Sequence, residues 1–88
     1  MKLVKKGKAG TDDDSDILIE VEPADTVTIK LESRVDQLYG KKIREVIMKT
    51  VETLQVEGCV ITAHDNGALD YTIQARVEAA VRLAGGVV

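Results

Sequence analysis

The 88-residue chain has no tryptophan or phenylalanine, one histidine, one cysteine and two serines, Ser15 and Ser33. These shortages close off several function classes. With only Tyr39 and Tyr71 as aromatics, there is little to stack on bases or sugars and few of the bulky anchors that dominate binding hot spots. A lone cysteine, Cys59, rules out an internal disulfide and is compatible with a reducing compartment. The net charge of −3 has the wrong sign for general nucleic-acid binding, whose footprint is a basic face. The N-terminus lacks the apolar run of a signal peptide, and no segment approaches the roughly 20 apolar residues of a membrane span. The expectation is a soluble, cytoplasmic protein with neither nucleic acid nor membrane as partner.

What is present is aliphatic and acidic. A hydrophobic content of 44% supports a compact core of Val, Ile, Leu and Ala, and the length suits one domain, since domains usually run to about 50–200 residues. Charge is unevenly placed: Lys2, Lys5, Lys6 and Lys8 crowd the start, and Asp12, Asp13, Asp14 and Asp16 follow. A basic arm beside an acidic loop can steer a charged partner or simply keep a terminus solvated.

Residues 1–16 read as a flexible arm and loop, with a short edge strand available over Lys2 to Lys6, ahead of a folded core over 17–86. Ile17, Ile19 and Val21 alternate with Leu18, Glu20 and Glu22, and Val27, Ile29 and Leu31 with Thr28, Lys30 and Glu32. Both are period-two strands, and the short turn at Pro23-Ala24-Asp25 reads as an antiparallel hairpin between them. Ser33 is placed to cap a helix, with Asp36 three residues on. Val35, Leu38, Tyr39, Ile43, Val46, Ile47, Val51 and Leu54 form that helix's apolar stripe, and Lys41, Lys42, Arg44 and Lys49 its solvated face. Gly40 inside the stripe suggests a close helix–sheet contact. Cys59 to His64 reads as a third strand, Asp65-Asn66-Gly67 as a capping turn, and Leu69, Ile73, Val77, Ala80, Val81 and Ala84 as a second helix stopped by Gly85-Gly86. The order β-β-α-β-α gives an α+β two-layer sandwich, a small sheet with two helices on one face. The second strand, first helix and third strand make a crossover if those strands are parallel.

Few residues carry chemistry. Asp12, Asp14 and Asp16 occupy the first, third and fifth places of a calcium loop, but its sixth and twelfth places, which need Gly and Glu, hold Ile17 and Pro23, so no metal is expected. His64 and Asp65 are adjacent in sequence, which says nothing of triad geometry with Ser15. Cys59 reads as a small buried hydrophobe, since nothing cationic adjoins it to activate a thiolate. What remains is one hydroxyl, Ser15, displayed among carboxylates just before a strand. Such a chain looks less like an enzyme than like something that carries a group.

Three segments then carry a family resemblance over nearly the whole length: Ala9-Gly10-Thr11 through Asp16 with the following strand to Pro23, the run Gly40-Lys41-Lys42-Ile43-Arg44, and Asp65-Asn66-Gly67-Ala68-Leu69-Asp70-Tyr71-Thr72-Ile73-Gln74-Ala75-Arg76. In this order and spacing they resemble the acyl carrier protein, or gamma subunit, of bacterial citrate lyase. The resemblance implies a non-catalytic carrier, a phosphoprotein of citrate fermentation. In that family a serine in the acidic loop is esterified by a prosthetic group derived from 2'-(5''-triphosphoribosyl)-3'-dephospho-CoA, whose thiol holds acetyl. It further implies three partners: an alpha subunit that exchanges acetyl for citryl, a beta subunit that cleaves citryl to oxaloacetate, and a prosthetic-group transferase. Citramalate lyase would use a similar carrier, and an unmodified interaction domain is the alternative from another class. Aligned without a gap, the family's modified serine falls on Asp14, which cannot form the phosphodiester. Either attachment has moved one residue to Ser15, the reading favoured here, or the chain goes unmodified. A phosphopantetheine carrier fits poorly, because its serine starts a helix in an all-helical bundle. Asp70 and Arg76 are expected to be structural, Asp70 at a helix start and Arg76 paired with an acid across the fold.

Overall fold

A computed structural model of the chain describes residues 1–33 and 37–85, the backbone alone for 37 and 38. Strands β1 (Gly7–Gly10), β2 (Ile17–Pro23) and β3 (Val27–Ser33) precede helix α1 (Gln37–Thr53), strand β4 (Cys59–Asp65) and helix α2 (Asp70–Gly85). The strands form one sheet in the order β1-β2-β4-β3. The α+β class holds, and the element order gains a strand at its start. That edge strand lies over Gly7–Gly10 instead of Lys2 to Lys6, pairing antiparallel with β2 from Gly7↔Val21 to Gly10↔Leu18.

The expected hairpin between β2 and β3 does not form. β4 inserts between them, antiparallel to β2 from Ile17↔Asp65 to Pro23↔Cys59 and parallel to β3 from Val27↔Cys59 to Ser33↔Asp65. Period-two patterning shows which face of a strand is buried but not which strand lies beside it. Burial explains the choice. β4 alternates between buried and half-buried residues along its whole length, as a strand flanked on both sides must, whereas β3 exposes Thr28, Lys30 and Glu32 and takes the edge. β3, α1 and β4 make the expected parallel crossover unit.

One sheet face carries the core. Ile17, Ile19 and Val21 of β2 and Cys59, Ile61 and Ala63 of β4 are buried against Ile43, Ile47 and Val51 of α1 and Ile73, Val77, Ala80, Val81 and Ala84 of α2. Tyr39 and Leu69, expected in the helical stripes, are exposed instead. Gly40 makes no close contact with the sheet: a β-carbon there would meet only the Leu31 side chain at 4.0 Å. The tight approach is at Gly7, where a β-carbon would strike the Ala80 carbonyl of α2.

The arm expected at the N-terminus is packed. Leu3 is buried, and the Val4 and Lys5 amides donate to Ala84 O at 2.9 and 3.1 Å. These bonds satisfy a carbonyl that the end of α2 leaves without a helical partner. Val35 and Asp36 of the first helix, its expected capping box and the Gly86 stop fall at least in part outside the described residues. Ser33 itself ends β3 and donates its hydroxyl to Asp65 Oδ2 at 3.0 Å.

Candidate functional site: the acidic turn at one end of the sheet

The register gathers several chain ends at one edge of the molecule. Antiparallel pairing of Ile17 with Asp65 brings the segment before β2 against the segment after β4. The C-terminal ends of β1, β3 and β4 and the start of α2 lie at this same end, since Gly10 pairs with Leu18 and Ser33 with Asp65.

Asp65 organises the loop leading to α2. Its carboxylate is 2% exposed and accepts from Ser33 Oγ (3.0 Å), Gly67 N (3.1 Å) and Ala68 N (3.0 Å). It thus braces the loop instead of capping the helix itself. Neighbouring His64 points to the opposite, uncovered sheet face, as adjacent strand residues must. There its Nδ1 lies 3.2 Å from Glu32 Oε2. The adjacent pair therefore builds no triad around Ser15.

The fixed loop in turn grips the acidic segment. Asn66 Nδ2 donates to both the Asp12 carbonyl (2.7 Å) and the Asp12 carboxylate (2.8 Å). The Asn66 amide donates to Asp16 O at 2.9 Å, and its carbonyl accepts the Ser15 amide at 2.8 Å. Asp16 N returns to Asp13 O at 3.2 Å and closes a four-residue turn. Ser15 is the third residue of that turn, exposed, with φ of +62°. Left-handed backbone is uncommon for a residue bearing a β-carbon and costs of order 1–2 kcal/mol, so the surrounding bonds must hold it. Asp14 is exposed beside it.

Asp16 is the second fastening. Arg76, in the second turn of α2, donates Nε to Oδ1 and a terminal nitrogen to Oδ2, both at 3.1 Å, the planar fork that suits a carboxylate. The Thr11 hydroxyl donates to Oδ2 at 2.7 Å and accepts from the Asp13 amide at 3.2 Å. The Asp16 side chain is only 13% exposed. Even so, the Thr11 hydroxyl first, then Arg76 and the Ile17 amide, outweigh desolvation and hold its carboxyl at about 2. Gly10 opens the segment with φ of +91°, and a β-carbon there would collide with the Ile17 carbonyl.

The carboxylates of Asp12 and Asp16 are thus engaged by Asn66, Thr11 and Arg76. Among the described residues no three His, Cys, Asp or Glu side chains are grouped to hold a metal ion, and no helix is long and apolar enough to cross a membrane. Cys59 is fully buried at the start of β4, and that burial pushes its thiol up from the ordinary value. Sequence reasoning left Asn66 as a turn residue and Arg76 with an unspecified acid. Thr11 was seen only as part of a motif. The signal was their place in the opening and third segments, which are distant in sequence and meet here.

An apolar groove of about 640 Å³ adjoins the Asp65–Ala68 loop, lined among others by Tyr39, Lys42, Ile43, Leu69 and Tyr71. Tyr39, Leu69 and Tyr71 are 60, 59 and 70% exposed. Lys42 and Asp70 face one another across it at 3.7 Å.

The chain matches the malonate decarboxylase delta subunit (MdcD) family of acyl carrier proteins over residues 4–84. It is 48% identical over 88 residues to the citrate lyase acyl carrier protein of Streptococcus uberis, covering 99% of this chain and 87% of that protein. It is 44% identical over 89 residues to the protein of the same name from Streptococcus pyogenes serotype M4, with the same two coverages. Among solved structures, a chain of a Pseudomonas malonate decarboxylase hetero-tetramer in complex with malonate superposes with a TM-score of 0.77 at 16% identity, over 97% of this chain and 93% of that one. At that identity the likeness shows the fold.

Proposed function

This chain belongs to the acyl carrier protein family of citrate lyase, and from that premise we propose that it is the acyl carrier subunit of a citrate lyase complex, with Ser15 as the residue that bears the prosthetic group. The observation that carries this reading is the exposed Ser15 hydroxyl at the tip of a turn held by Asn66. A phosphodiester link needs an accessible alcohol, and Ser15 supplies one. The Asp14 carboxylate beside it would yield only a mixed anhydride, which water cleaves. The residues present therefore fit a covalently attached phosphoribosyl-dephospho-CoA group at Ser15 and do not fit one at Asp14.

When bound, such a group supplies a thiol that holds acetyl or citryl as a thioester on an arm with high effective concentration at nearby active sites. The chain's own task is to anchor and present. Ser15 fixes the base of the arm. The engaged carboxylates of Asp12 and Asp16 keep the turn in place without competing as nucleophiles. The apolar groove at Leu69 and Tyr71 adjoins the Asp65–Ala68 loop that holds this turn, on the side from which an active site receiving a group anchored at Ser15 would approach. Exposed Tyr and Leu in one patch mark a protein-binding surface, assigned here to the alpha and beta subunits, the acyl transferase and lyase of the complex.

The test is intact mass after coexpression with the citrate lyase prosthetic-group transferase. The wild-type chain is expected to gain the mass of the group and Ser15→Ala to gain none. An unchanged wild-type mass under conditions that fully load a control carrier would overturn the carrier reading, and an adduct on Ser15→Ala would remove Ser15 from it.

A further inference from the structure

Resting on the reading of Ser15 as the attachment point, we propose that Asn66 and Arg76 are positioning residues that hold the Asp13–Asp16 turn in the conformation the modifying enzyme recognises, so that attachment occurs on the folded chain and not on the acidic segment as a linear peptide. The two residues reach the turn from elements that lie far away in sequence: Asn66 follows β4, and Arg76 sits on α2. Each engages the segment through different groups. Asn66 takes Asp12 through its side chain and Ser15 and Asp16 through its backbone, while Arg76 clamps the Asp16 carboxylate with two nitrogens.

Ser15 shows why this matters for recognition. Its φ of +62° is disfavoured roughly tenfold in a free chain of L-residues. The Asn66 carbonyl, accepting the Ser15 amide at 2.8 Å, fixes that backbone directly. Thr11 and Arg76 then hold the following residue, so the direction in which the Ser15 Cα–Cβ bond leaves the surface is set before any enzyme arrives. An enzyme docking on this turn meets a surface that is already ordered. A peptide of the same sequence must be ordered on binding and forced into the left-handed conformation, which raises the barrier. The exposed carboxylates of Asp13 and Asp14 are carried on the same preformed turn.

A purely structural role for these bonds would lower stability and leave modification of the folded fraction unchanged. The experiment therefore compares kcat/KM of the prosthetic-group transferase on the wild-type chain, on Asn66→Ala and Arg76→Met, and on a synthetic peptide of residues 8–18. Amide hydrogen exchange is followed in parallel at Ser15, Asp16 and the β4 core.

The peptide and both variants are expected to be modified about tenfold more slowly or worse. Asn66→Ala keeps the backbone bonds to Ser15 and Asp16 and removes only the side-chain hold on Asp12, and Arg76→Met removes the clamp on Asp16. With either hold released, the Ser15 and Asp16 amides should exchange faster while Ile61 and Ala63 keep their protection. Arg76→Lys, which restores charge but not the fork, should recover part of the rate. Modification of the peptide at the wild-type rate would overturn the proposal even if a variant failed to fold. So would undiminished modification of a variant whose Ser15 amide has become unprotected. In either case the wild-type chain still gains mass and the carrier reading stands. A wild-type chain that gains none takes both down together.

Discussion

Asp16 shows how much a single side chain contributes at this end of the sheet. Its carboxyl titrates at about 2 in the folded chain against an ordinary 3.8, so the unfolded state binds a proton that the folded state refuses. The stability linked to Asp16 is therefore complete above about pH 4 and is lost as pH falls toward 2. Urea unfolding at pH 7 and pH 3 should show this loss in the wild type and a smaller one in Thr11→Val, which removes the largest cause of the shift. At pH 7 the same variant should be less stable by about 1–2 kcal/mol. An identical pH dependence in both proteins would remove Asp16 as the linked group. Thr11 was legible as part of a motif, but its role was not, because a hydroxyl five residues from a carboxylate acquires a partner only once the turn between them closes.

Strands and helices were read correctly where side-chain period alone decides. Ile17, Ile19 and Val21 are buried as their alternation demands, and so are Ile73, Val77, Ala80, Val81 and Ala84 at helical spacing. Pairing was misread, because the Pro23-Ala24-Asp25 turn is as short as a hairpin turn and patterning cannot reveal that β4 will be inserted between its arms. Gly40 was misread for a related reason: a glycine in a helix looks the same whether it serves a close approach or serves nothing. Here the added β-carbon finds ordinary contact distance to Leu31. Gly40→Ala is therefore expected to stabilise the chain by about 0.5–1 kcal/mol through helix propensity, read as a raised urea midpoint with unchanged slope. A lowered midpoint would mean that the helix needs the glycine's backbone freedom.

At the scale of the whole molecule, one end combines the acidic turn with an exposed apolar groove. The acidic turn, the braced Asp65 loop and the groove at Leu69 and Tyr71 lie together, while the other sheet face presents Lys30, Glu32 and Glu20 to solvent. If that end is where the catalytic subunits engage, replacing Leu69 and Tyr71 together by serine should weaken carrier binding by roughly tenfold or more, since exposed aromatic and aliphatic anchors carry most interface energy. Circular dichroism and melting should be unchanged, because neither side chain belongs to the core. Wild-type affinity in the double variant would place the interface elsewhere.

Residue order alone determined the aliphatic core, the burial face of each strand, most of the two helical stripes and the isolation of a single serine among carboxylates, because those features follow from local period and composition. Folding in three dimensions decided the neighbour of each strand, the packing of the N-terminal arm against α2, and the conversion of the acidic stretch into a fastened turn. Each of these depends on contacts between residues distant in sequence, such as Val27 with Cys59, Asp12 with Asn66 and Asp16 with Arg76. No local pattern encodes such pairs. They come into being when β4 enters the sheet beside β2.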